Sequence, residues 1–286
     1  MNKKMFTKWN VVAVLMLVSV GMMTAQVSFT NRGDMLGSVG GFGYEDCVVD
    51  MNGDYLDDVV RVGESGLTID YQKSDGTFNQ VVINMNFQNL PGWSMCAGDI
   101  DNNGYNDLLF GSGDKVSVVY ANEDGTAYTE DVHDEYIFSQ RSTFADIDND
   151  GNLDAFVCHD VDQSHPYRND GAGNLVEDQT LIVTADMPGN YAAIWVDYDN
   201  DWDTDLYVTK CRQGSSSGDV ARTNRMYRNN GDGTYSEVAE EINMADNAQS
   251  WATVFEDFDN DGDFDAFIVN HDEANRFLIN DGVGNY

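Results

Sequence analysis

Asp146-Ile147-Asp148-Asn149-Asp150-Gly151-Asn152-Leu153-Asp154 places Asp at the first, third, fifth and ninth positions of a nine-residue stretch. The spacing returns four more times, with Asn in two of the twenty places. The sets are Asp50, Asn52, Asp54 and Asp58; Asp99, Asp101, Asn103 and Asp107; Asp197, Asp199, Asp201 and Asp205; and Asp257, Asp259, Asp261 and Asp265. Successive starts are 49, 47, 51 and 60 residues apart. With 39 Asp and 28 Asn in 286 residues, chance gives roughly 0.3 such stretches, so a repeat architecture is implied.

Short apolar runs flank each stretch. Ala192-Ala193-Ile194-Trp195-Val196 and Trp251-Ala252-Thr253-Val254-Phe255 precede it; Leu108-Leu109-Phe110, Ala155-Phe156-Val157 and Ala266-Phe267-Ile268-Val269 follow it. These runs are short, rich in β-branched and aromatic residues, and end at polar positions, which reads as buried strand. A turn comes later in the repeat: Tyr167-Arg168-Asn169-Asp170-Gly171, Tyr227-Arg228-Asn229-Asn230-Gly231 and Leu278-Ile279-Asn280-Asp281-Gly282. Asn and Gly tolerate positive φ, so these are hairpin signals. Each period therefore holds about four short strands and no helix. The expected fold class is all-β, a β-propeller of about five four-stranded repeats.

The acidic turns point to a metal. Side-chain oxygens at positions 1, 3, 5 and 9, with a backbone carbonyl at position 7, form a hard-oxygen set that suits Ca²⁺ better than Mg²⁺. The turns contain no His or Cys, which argues against zinc or copper. Position 12 is Arg61, Phe110, Val157, Val208 or Ile268, never the Glu of a helix–loop–helix calcium site. Up to five Ca²⁺ are expected, each offsetting carboxylates that otherwise repel one another. Position 6 is Gly in three turns but Tyr55 and Trp202 in the first and fourth. A bulky residue at positive φ is costly, so those two turns are expected to bend differently or to bind more weakly.

Composition excludes several partners. Lys and Arg number 15 against 50 Asp and Glu, a net charge of −35, so neither a phosphate backbone nor an anionic membrane surface is a fitting partner. Lys3, Lys4 and Lys8 precede an apolar run from Val11 to Met23. Residues 1–25 therefore read as a signal peptide and residues 26–286 as the repeat domain, secreted or on the cell surface, with no membrane insertion after cleavage. Cys47, Cys96, Cys158 and Cys211 show no zinc spacing and read as free thiols. Arg168, Arg225, Arg228 and Arg276 cluster near the hairpin turns and read as partners of the acidic turns. His133, His159, His165 and His271 fall at unmatched places and read as surface or loop residues. Gly214-Ser215-Ser216-Ser217-Gly218 lies in the longest interval and is a candidate binding loop. No catalytic constellation emerges: there is no Gly-x-Ser-x-Gly, His-Glu-x-x-His or phosphate loop.

The repeated acidic turn between strands, with the downstream Tyr-Arg-Asn-[Asp/Asn]-Gly-x-Gly, resembles the FG-GAP/VCBS repeat family of calcium-binding propellers, relatives of the integrin α-subunit head. The resemblance covers nearly all of residues 29–286. It implies a propeller, Ca²⁺ in the inter-strand turns and recognition outside the cell. Propellers of that family often have seven or eight blades. Two arrangements therefore stay open: Val27-Ser28-Phe29-Thr30 completes the last sheet and closes a five-bladed ring, or the repeats are a fragment of a larger propeller. The expected function is binding a protein or glycan through the loop face. The alternatives are a calcium-dependent enzyme acting on polysaccharide or lipid, or a structural domain of a larger surface protein.

Overall fold

A computed structural model describes residues 28–37, 46–185 and 187–286. The leader expected over residues 1–25 lies outside the described residues. The chain divides into two compact units, Met1–Gly33 and Asp34–Tyr286, and every sheet lies in the second.

Five antiparallel sheets follow one another, each a meander in chain order. The first holds β1 (Asp46–Val49), β2 (Asp58–Gly63), β3 (Gly66–Gln72) and β4 (Phe78–Asn84). The second holds β5 (Ser94–Gly98), β6 (Asp107–Gly111), β7 (Val116–Ala121) and β8 (Tyr128–His133). The third holds β9 (Ser139–Ala145), β10 (Asp154–His159), β11 (His165–Asn169) and β12 (Leu175–Glu177). The fourth holds β13 (Asn190–Val196), β14 (Asp205–Lys210), β15 (Arg225–Asn229) and β16 (Tyr235–Glu237). The fifth holds three strands among the described residues: β17 (Ser250–Glu256), β18 (Asp265–Asn270) and β19 (Arg276–Leu278).

The second strand of a sheet explains the stacking. Its side chains alternate between two neighbours, so it must be apolar throughout. Leu108 and Phe110 pack with Val60 and Ile69 of sheet one, while Leu109 packs with Ala155 and Val157 of sheet three. Phe156 and Cys158 meet Leu206 and Val208, and Tyr207 meets Ala266 and Ile268. The core is thus four layers between five sheets. Fully burying one such side chain contributes about 1.5–3 kcal/mol. The first strands of successive sheets lie side by side, β1 with β5, β5 with β9, β9 with β13 and β13 with β17.

The row is propeller-like but not closed. On sheet one, Asp70 is fully buried in an ion pair with Arg61, and its Oδ1 accepts the Gly37 N–H at 3.1 Å. On sheet five, Val254 is 52% exposed and Phe277 54%. Of the candidate ring-closing strand, residues 28–30 are exposed coil, and Val27 lies outside the described residues. One expectation is corrected. His159 is not a surface residue but sits buried in β10, where its Nδ1 accepts the Phe138 and Val161 N–H groups, each at 3.3 Å. All four cysteines are free thiols. Among the described residues no helix is long and apolar enough to cross a membrane.

Candidate metal centre

Each acidic turn joins the first strand of a sheet to the second, and all five adopt one backbone. The first Asp folds the turn around itself. Asp99 Oδ1 accepts the Asn103 N–H at 2.9 Å and Oδ2 the Gly104 N–H at 2.8 Å. Asp50, Asp146, Asp197 and Asp257 accept the N–H groups at the same two offsets. The ninth Asp is buried and clamps two strands. Asp107 Oδ2 accepts the Ile100 N–H at 3.0 Å, and its Oδ1 accepts the Ala121 N–H from β7 at 2.8 Å. Asp58, Asp154, Asp205 and Asp265 do the same. This structural duty of the ninth position was not legible from ligand spacing alone.

Positions 1, 3 and 9 converge. In each of the sets Asp99–Asp101–Asp107, Asp146–Asp148–Asp154, Asp197–Asp199–Asp205 and Asp257–Asp259–Asp265, one oxygen per residue lies within 4.8 Å of the others. The first turn has the same order, with Asn52 between Asp50 and Asp58. The fifth position stands outside these triads. Asp54, Asn103, Asp150, Asp201 and Asp261 each accept the N–H two residues on, as Asx turns.

The donor set fits a hard cation. Asp148 Oδ1 and Asp199 Oδ1 are buried with no hydrogen-bond partner, an arrangement that a bound cation relieves. Burial, followed by neighbouring carboxylates, pushes the Asp107 and Asp205 carboxyls up to about 7 and Asp154 up to about 6. Side-chain oxygens alone, without imidazole or thiolate, suit Ca²⁺.

The arginines separate into two groups. Arg168 pairs with Asp148 and with Asp178, the latter at 2.9 Å, and Arg228 opposes the rise in the Asp199 pKa that burial and the Asp201 and Asp197 carboxylates produce. Arg225 and Arg276 do not reach the acidic turns, contrary to expectation. They open β15 and β19, at the strand ends far from the turns, and pair with Glu237 at 3.1 Å and Asp246 at 3.8 Å.

Turns one and four do not bend differently. Tyr55 has φ 66° and Trp202 φ 74°, matching Gly104 at 95°, Gly151 at 91° and Gly262 at 100°. The strain is borne by the two aromatics, which are 95% and 92% exposed.

Neighbouring sheets complete the turns. Asn106 Nδ2 donates to the Asp50 carbonyl at 2.7 Å, Asn169 Nδ2 to Ile100 O at 2.8 Å, Tyr235 OH to Ile147 O at 2.8 Å and Asn280 Nδ2 to Tyr198 O at 2.8 Å. Each donor belongs to the sheet after the turn it holds. A Cβ on Gly173 would meet Asp101 Cβ at 2.6 Å, so only glycine lets that hairpin seat on turn two. The recurrent Asn before Asp-Gly or Asn-Gly was the available signal. Its sequence reading as a turn residue missed this second role. Turn five has no following sheet among the described residues. Its second residue, Phe258, is 44% exposed, whereas Met51, Ile100, Ile147 and Tyr198 are at most 1% exposed.

A family model described as FG-GAP-like repeat matches residues 50–110, 99–157 and 197–268, well over half of the chain. No curated protein matches the sequence. The fold is similar to that of an Agrocybe aegerita lectin, described for its specific recognition of non-reducing terminal N-acetylglucosamine. The TM-score is 0.59 and the identity 18%, over 85% of this chain and 64% of that one. The chain thus spans under two thirds of the lectin's length. A second match is the Photorhabdus luminescens Tc holotoxin pore, at TM-score 0.44 and 14% identity, covering 88% of this chain and 12% of that one.

Proposed function

The chain belongs to the FG-GAP-like repeat family, and from that premise we propose that it is an exported, calcium-stabilised module that binds a glycan or protein outside the cell. The observation that carries the metal reading is the fourfold convergence of three carboxylates at equivalent turns, two of them with buried, unpartnered oxygens. Asp99, Asp101 and Asp107, and their counterparts in the other turns, would hold the ion. Asp50, Asn52 and Asp58 would do so in the first. A bound calcium ion would supply positive charge where these carboxylates crowd. The lysines and apolar run of residues 3–23 support export. The lectin with the similar fold supports a glycan as the bound partner.

Thermal melts of the full chain in 1 mM Ca²⁺ and in excess EDTA, with calorimetric titration of the EDTA-stripped protein, test the metal reading. A transition many degrees higher in Ca²⁺, with several ions bound per chain, is the expected result. Coincident melts and no heat of binding would leave the turns as acidic loops without a metal.

A further inference from the structure

At the sheet ends opposite the acidic turns, a cleft of about 420 Å³ opens where sheets three, four and five meet, within the size range of small-molecule sites. Tyr191 and Trp251 are the second residues of β13 and β17, whereas the acidic turns follow the last residues of those strands. His271 and Asp160 directly follow β18 and β10.

Its wall is aromatic. Trp251 lies nearly parallel to His271, with centroids 4.7 Å apart and planes at 27°, and to Tyr191, at 6.2 Å and 13°. Trp251 is 43% exposed, so the stacked row is partly open to solvent. The rim is polar but charge-compensated. Asp160 pairs with Arg212 at 3.4 Å and accepts from Gln140 Nε2 at 3.3 Å, while Asp272 accepts from Arg222 Nη2 at 2.8 Å.

The cleft is also held in place at a conformational cost. Gln249 has φ 55°, and its carbonyl accepts the His271 N–H at 2.9 Å. In sheet four the same bond runs from Cys211 N–H to the carbonyl of Gly189, at φ 87°. Sheet five therefore accepts a left-handed glutamine where sheet four uses glycine. The side chain makes use of it: Gln249 Oε1 accepts the Arg212 N–H at 2.6 Å and Nε2 donates to Arg212 O at 2.9 Å. This pins the start of the Ser-rich insertion, whose Gly214 lines the cleft. The far side of the insertion is tied down as well, by Gly218 N–H on Asn247 Oδ1 at 2.6 Å and Arg222 Nη1 on Ser215 O at 3.3 Å. Backbone strain of this kind, held by surrounding bonds, is typical of ligand sites.

Beyond the Tyr191–Trp251 pair the cleft continues into a second hollow of about 220 Å³. Thr253 lines it, 6% exposed, with a hydroxyl that has no hydrogen-bond partner among the described residues.

We infer that this cleft binds a neutral saccharide of at least two rings. Flat ring faces suit the C–H face of a pyranose. The carboxylate, amide and hydroxyl groups around them can accept from and donate to sugar hydroxyls. The net charge of −35 disfavours an anionic sugar, while Arg141 is a cation lining the second hollow. The second hollow adjoins the first across the shared rings, which sets the length. The inference rests on the reading of the chain as a glycan-binding module, and places that binding away from the acidic turns.

The test titrates the full chain in 1 mM Ca²⁺ with cellotriose, mannotriose and N-acetylglucosamine trimer, following tryptophan fluorescence and heat. A sulfated trisaccharide is the control. Saturable binding of at least one neutral trimer is expected, weakened tenfold or more in Trp251→Ala and in His271→Ala while both variants melt like the parent. Binding unchanged in both variants would overturn the cleft assignment and leave the glycan reading standing. Binding of the sulfated sugar alone would overturn the neutral-ligand assignment. Binding of no saccharide would overturn the glycan reading together with the cleft, whereas the EDTA melt would still report on the metal.

Discussion

The two ends of the five sheets are built on opposite plans. At one end, five turns repeat a single backbone, a single pattern of Asp-to-N–H bonds and a single buried clamp at position 9. At the other, one backbone bond recurs in sheets three to five, from the Asp160, Cys211 and His271 N–H groups to the carbonyls of Phe138, Gly189 and Gln249, but the residues around it differ. Sheet five uses Gln249 where sheet four uses Gly189, and sheet four carries the Ser-rich insertion. Every repeat needs the same cross-tie between strands, so selection on stability copies the turn. A ligand needs one particular arrangement, so the opposite end diverges. On the proposed function, the repeated end is the scaffold and the irregular end the recognition surface.

The sharpest way to break that division is to remove calcium. Sites of this class bind at about 10⁻⁴–10⁻³ M. At 1 mM Ca²⁺, each site of 10⁻⁴ M affinity adds about 1.4 kcal/mol, and five add about 7. That is comparable to the net stability of a whole domain, so EDTA is expected to lower the melting temperature by many degrees.

Next in size is Asp205→Ala. The buried carboxylate holds the Tyr198 and Asn229 N–H groups. Leaving both unpaired costs about 1–3 kcal/mol each, about 2–6 in total. Denaturant melts in EDTA, with no metal to lose, isolate this structural share. An unchanged midpoint would mean that the ninth position serves the ion alone.

A pH series on calcium-free protein comes third. Burial and neighbouring carboxylates raise Asp107 and Asp205 to about 7 and Asp154 to about 6. The folded state therefore holds these protons more tightly than the unfolded chain, whose Asp titrates near about 3.9. Their contribution is fully present below that value and is lost as pH rises through about 6–7. Calcium-free protein is expected to melt higher at pH 5 than at pH 8. With Ca²⁺ the order reverses, because the ion requires deprotonated ligands. The same trend in both buffers would count against metal at these carboxylates.

The smallest effect comes from relieving the strained turns. Trp202→Gly and Tyr55→Gly remove exposed side chains at φ 74° and 66°. A left-handed non-glycine residue costs about 1–2 kcal/mol, partly offset by the freedom of glycine in the unfolded chain. Each variant is expected to gain up to about 1 kcal/mol in chemical denaturation. A loss would show that the aromatics make contacts worth more than the strain.

The scaffold was largely legible in the sequence. Runs such as Ala155-Phe156-Val157 and Leu206-Tyr207-Val208 sit in second strands, with alternate residues facing opposite neighbours. The acidic spacing marked the turn between first and second strands in every sheet. The differences from expectation lie where a residue's role depends on distant chain. Asn169 reaches Ile100 across 69 positions, and Arg276 meets Asp246 rather than an acidic turn. Of the two arrangements left open for the chain ends, a strand completing sheet five is not found among the described residues.

The sequence by itself determined the repeat, the strand count of the first four sheets and the acidic turns. Those features are local: nine residues place their own oxygens, and five alternating residues define a buried strand. Tertiary structure alone decided that the ninth Asp clamps two strands and that Tyr55 and Trp202 adopt a glycine-like backbone. It also decided that Tyr191, Trp251, His271 and Asp160 meet in one cleft. Those four residues come from three sheets, and no short-range spacing records them. Only the stacking of whole sheets, driven by burial of the alternating strand faces, brings such residues within reach of a common ligand.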